Sequence, residues 1–141
     1  MSLYYYIASD TDLTMLDEHL TLWVDDEDDY FLSIKKMFNR KYVYLFDPNC
    51  SYFQISFLNG FETEQMRSAF IMRNDLVLAD QQKLFEQLKQ ILPKGGEALF
   101  YTLYGSNPSF VPINEIKIDI QNFVVPFPFE FSEHVLYKLQ N

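Results

Sequence analysis

"ADQQKLFEQLKQILPKGGEALFYTLY", residues 79–104, sets a surface-helix pattern beside a buried-strand pattern across one proline–glycine break. In its first half, Leu84, Phe85, Leu88, Ile91 and Leu92 fall on one side of a helix, with Gln, Glu and Lys on the other. Asp80 reads as the N-cap, and "PKGG" at 93–96 stops the helix, because proline cannot continue it and glycine accepts the backbone turn. The second half, "EALFYTLY" at 97–104, is apolar on both faces, the pattern of a strand inside a sheet. A helix running into a central strand is therefore the nucleus around which the other segments are placed.

Upstream, "LYYYIAS" at 3–9 reads as an aromatic first strand. "DTDLTMLDEHLTLWV" at 10–24 reads two ways: Leu13, Leu16 and Leu20 fit a helical face, whereas Leu20, Leu22 and Val24 alternate. The reading adopted is a short helical turn followed by a strand from about 20 to 24. "KYVYLF" and "SYFQISF", separated by Asp47, Pro48, Asn49 and Cys50, predict a hairpin, since proline fixes φ and the flanking side chains can bond the turn backbone. Met66, Ala69 and Phe70 suggest a short helix, with strand as the competing assignment. Downstream, "NEIKIDIQ" at 114–121 sets isoleucines against charged residues and predicts a strand with one wet face. "FEFSEHVLYKL" closes the chain as a strand or hairpin. The sum predicts an α+β fold: a single domain over 1–141, with a mainly antiparallel sheet and about three helices packed on one face.

"YYYIAS" at 4–9, "KYVYLF" at 41–46 and "LPKGGEALFY" at 92–101 resemble openings and joints of small uncharacterised proteins from Gram-positive bacteria. The resemblance implies a source and a fold frame, and no activity.

Composition narrows the function. Aromatic residues make up 18% of the 141, which suits a bulky sheet core with tyrosines at its margins. Twenty acidic against 11 basic residues give a net charge of −9, which repels phosphate backbones, so no nucleic-acid partner is expected. No apolar run approaches the ~20 residues needed to span a bilayer, and "FVVPFPF" at 123–129 is broken by two prolines. The N-terminus lacks the features of a signal peptide, and the lone Cys50 suits a reducing compartment, so a cytoplasmic location is expected.

Motif searches mostly return negatives. The four glycines, at 60, 95, 96 and 105, form neither GxGxxG nor a P-loop, and no GxSxG elbow is present. No cofactor and no resident metal are expected, and no catalytic residue is assigned. Cys50 has a base only if His19 or His134 approaches it in space. The two His, each preceded by Glu in "DEH" and "SEH", would form a metal site only by the same convergence.

The remaining feature is "WVDDEDDYF" at 23–31, five consecutive carboxylates between aromatic residues. An EF-hand loop starting at Asp25 would need glycine and glutamate where Tyr30 and Lys36 stand, so that reading fails. As the start of a helix over 26–39, capped by Asp25 or Asp26, the acids oppose the N-terminal end of the dipole, and Lys35, Lys36, Arg40 and Lys41 suit its other end. As a recognition surface, Trp23, Asp25, Asp26, Glu27, Asp28, Asp29 and Tyr30 combine charge with aromatic anchors. The functional expectation is an acidic, non-catalytic protein-binding domain, inhibitor- or immunity-like, with a basic protein partner. The alternative is a small enzyme or ligand-binding domain with an aromatic-lined pocket.

Overall fold

A computed structural model describes residues 3–16, 20–23, 29–48, 64–104, 111–122 and 134–141. Six strands and two helices follow one another as β1 (Leu3–Ser9), β2 (Leu20–Trp23), α1 (Asp29–Phe38), β3 (Tyr42–Pro48), α2 (Glu64–Ile91), β4 (Glu97–Tyr104), β5 (Asn114–Asp119) and β6 (Val135–Gln140). The strands form one sheet in the order β2-β3-β1-β4-β6-β5. Four of its five pairings are antiparallel, and β5 runs parallel to β6. The expected α+β class and mainly antiparallel sheet are therefore observed.

Among the described residues the helices are two, and they lie on opposite faces. Side chains alternate along a strand, so β1 sends Tyr5 and Ile7 one way and Tyr6 and Ala8 the other. Tyr5, Ile7, Phe100 and Tyr137 pack with Leu84, Phe85 and Leu88 of α2 and with Leu92 just after it. Tyr6, Ala8, Leu99 and Tyr101 pack with Ile34 and Phe38 of α1. The expectation of about three helices on one face is thus corrected. A strand as apolar on both sides as β4 requires cover on both, and one helix cannot supply it.

The count falls from three because the segments at 66–70 and 80–92 belong to a single helix of 28 residues. Asp80 lies inside it and is no cap. The buried stripe of α2 extends about two turns further back than Leu84, through Gln81 to Val77, both 0% exposed. An aspartate, favoured at helix starts, imitates a cap within the helix and divides it in the sequence reading. The helix ends as expected in Pro93–Gly96. Gly95 takes φ +82°, and a Cβ on Gly96 would lie 2.9 Å from the Pro93 ring. Asn141 completes the stop: its Nδ2 donates to the carbonyls of Leu92 (2.7 Å) and Lys89 (3.3 Å), two of the carbonyls a helix end leaves open.

The predicted hairpin is also corrected. At Leu45 and Phe46, β3 pairs with β1 on one edge and with β2 on the other, so neither edge remains there for 51–57. Asp47 and Pro48, read as turn residues, instead continue β3 and pair with Thr21 and Leu20 of β2. Residues 51–57 lie outside the described residues.

Candidate functional site

The acidic stretch joins an edge strand to a helix. Trp23 is the last residue of β2, opposite Leu45 of β3, and Asp29 and Tyr30 open α1. Residues 24–28, including Asp25, Asp26, Glu27 and Asp28, lie outside the described residues, and with them the assigned N-cap. Helix α1 ends at Phe38, one residue before the expected boundary. Asn39 takes φ 50° and donates its N–H to the Lys35 carbonyl at 3.0 Å, a left-handed stop that asparagine tolerates better than most residues. Lys35 and Lys36 occupy the last turn, as the dipole favours.

The rest of the basic run has intramolecular work. Arg40 Nη2 donates to Glu97 Oε1 at 2.7 Å, and Gln140 Nε2 donates to Oε2 of the same carboxylate at 3.3 Å. The Arg40 hydrogen bond, more than any other contact, holds the Glu97 carboxyl below the ordinary glutamate range. This ties the start of β4 to the α1–β3 junction and to the end of β6. Lys41 lies over the Tyr42 ring, 5.2 Å from its centroid. Nearby, Asp12 accepts the Thr14 N–H at 2.9 Å and the Tyr44 hydroxyl at 3.3 Å. The Thr14 N–H is the main reason its carboxyl is lowered, while burial is the main reason the Tyr44 phenol is raised.

Of the residues considered for chemistry, only His134 is described; His19 and Cys50 lie outside the described residues. His134 precedes β6 with φ 61°, in the left-handed region that few non-glycine residues occupy. Its N–H donates to the Thr102 carbonyl at 3.0 Å, and its carbonyl accepts from the Ile113 N–H at 2.9 Å. Its Nδ1 lies 3.1 Å from the hydroxyl of the buried Tyr101. With Nδ1 unprotonated, the phenol donates and the imidazole carries its proton on Nε2. Tyr101 also meets Phe38 of α1 edge-on, at 6.4 Å between centroids. The pair links β4 to β6 on the α1 face. Sequence reading missed this bond because its partners stand 33 residues apart and neither neighbourhood names the other. Among the described residues, no group of three or more His, Cys, Asp or Glu could hold a metal ion, and no helix is long and apolar enough to cross a membrane.

In comparisons with known proteins, no family model, no curated protein and no solved structure matches this chain.

Proposed function

We propose that the protein acts in the cytoplasm by binding a basic protein partner through the β2–α1 connection, without catalysing a reaction. One observation carries this reading: five consecutive carboxylates span the joint between the end of an edge strand at Trp23 and the first turn of α1. Two regular elements anchor the ends of the segment, which limits the entropy lost on binding. The excess of acids across the chain steers a cationic partner toward it. The test is capture from lysate by the intact protein and by a variant with Asp25, Asp26, Asp28 and Asp29 changed to Asn and Glu27 to Gln. Under this reading the wild type retains an identifiable basic protein that high salt releases, and the variant retains none. Equal capture by both removes the acidic stretch from recognition.

The alternative, a small enzyme or ligand-binding domain, is favoured by the Tyr101–His134 hydrogen bond beside Phe38. It requires a bound small molecule, which mass spectrometry of denaturant-extracted protein would detect.

A further inference from the structure

The strand β5 ends the sheet, and among the described residues no strand pairs with its outer edge. Asn114, Glu115, Ile116 and Lys117 are all exposed, and just upstream Val111 and Ile113 are 72% and 79% exposed. Three large apolar residues thus stand in water within six positions of an open edge. Natural proteins ordinarily blunt such an edge, because its free N–H and C=O groups form a template for another strand.

The charges along β5 specify which strand. We propose that this edge pairs antiparallel with β5 of a second copy of the chain, about a two-fold axis at Ile116, making one sheet continuous across a homodimer. A two-fold axis that reverses strand direction while keeping each face continuous must pass through a residue, since directly opposed residues share a face. Centred on Ile116, the pairing sets Glu115 of each copy against Lys117 of the other and Ile116 against Ile116. Centred on residue 115, it would oppose Glu115 to itself. Centred on residue 117, it would oppose Lys117 to itself and Glu115 to Asp119. Centred on Ile118, it would oppose Lys117 to Asp119 but leave Glu115 opposite Gln121. Of these registers, only the one at Ile116 sets both Glu115 and Lys117 against opposite charges, and like charges directly opposed are unfavourable.

Lys117 supplies an independent reason. Within the chain it stands directly across from Lys138, and the Glu115 carboxylate is taken up by Lys138 Nζ at 3.1 Å. A carboxylate from the second copy would complete this alternation of charge. The joint is short, so its area belongs with weak, concentration-dependent interfaces.

Sedimentation velocity of the intact protein over a micromolar concentration series tests the proposal. The wild type is expected to shift from monomer to dimer. Lys117→Glu and Glu115→Lys each place like charges across both symmetry-related positions, and each should weaken self-association about tenfold. Mixing the two variants restores opposite charges in a heterodimer, which should form about as tightly as the wild type. Circular dichroism confirms that both variants fold, as expected for substitutions at exposed positions. A wild type that stays monomeric overturns the proposal. So does a dimer indifferent to both substitutions, or a mixture that associates no better than either variant alone.

Discussion

On one face of the sheet, Leu84, Phe85 and Leu88 of the 28-residue α2, with Leu92 just after it, pack over side chains from β1, β3, β4, β5 and β6. On the other, Ile34 and Phe38 of the 10-residue α1 meet β1, β3, β4 and β6. A helix rises about 1.5 Å per residue, so α1 is about 15 Å long and α2 about 42 Å, and the shorter helix covers less of a sheet whose strands are about 4.8 Å apart. The sequence of each strand follows this difference in cover. Ile118 and Ile120 point toward the α2 side and are buried. Glu115 and Lys117, which alternate with them, remain exposed on the α1 side, where β5 lies beyond the short helix. Among the described residues, the α2 face holds the larger buried cluster, 16 residues against eight on the α1 face. The α1 face keeps its polar groups, and both functional proposals draw on residues beside it.

The largest test of this contrast is Leu88→Ala. Leu88 is 0% exposed in the centre of the broad core, and its truncation should cost about 3–5 kcal/mol through lost burial and a cavity that five strands hold open. The exposed Gln90→Ala serves as the control. If urea midpoints for the two variants agree, the α2 face is not the principal core. Ile34→Ala makes the corresponding deletion on the α1 face, at a residue also 0% exposed. A 10-residue helix can settle into the gap more readily, so a cost of about 2 kcal/mol is expected. A larger loss for Ile34 than for Leu88 would reverse the ranking of the faces.

How much of this was legible depended on how far apart the cooperating residues lie in the chain. The strands at 3–9, 97–104 and 114–119 and the helix through Leu84–Leu92 show their own periods, and all stand close to where those periods place them. "EALFYTLY" even announced two-sided burial, but which element covers each side is decided by contacts such as Phe38 with Tyr101. Asp80 imitated an N-cap inside α2, and so one helix read as two segments. The strand β3 has turn signals at its end, yet its neighbours come from residues 3–9 and 20–23. Of the candidate recognition residues, Trp23, Asp29 and Tyr30 could be placed on a strand end and a helix start from sequence alone. The Arg40–Glu97 and Tyr101–His134 bonds could not, since nothing local requires either.

A smaller effect should come from the end of the sheet where Arg40 joins the α1–β3 junction to β4. Glu97→Gln removes the charge from a largely buried ion pair that also accepts from Gln140, at a cost of about 1 kcal/mol near neutral pH. The folded-state pKa of Glu97 is lowered, so its stabilisation is complete above the ordinary glutamate range. It is lost as pH falls through that range to the lowered folded value. Wild type and variant should therefore differ at about pH 6 and converge at about pH 3. A gap that widens on acidification would show that the carboxylate is not held in its charged form.

The smallest effect concerns the acids before α1. Asp29 opens the described helix, in the turn where dipole interactions act, and Asp26 and Asp28 precede it in the sequence. Changing all three to Asn should lower stability by only about 0.5–1 kcal/mol, because asparagine still caps and exposed charges interact weakly. High salt should shrink that loss further. A recognition surface behaves in the opposite sense: five adjacent carboxylates repel one another while no partner is bound, and neutralising three of them relieves the strain. Melting curves in low and high salt distinguish the two. A small, salt-sensitive fall in melting temperature assigns the acids mainly to the helix start. A rise confined to low salt means that folding gains nothing from their charge, which leaves binding as the reason for the stretch.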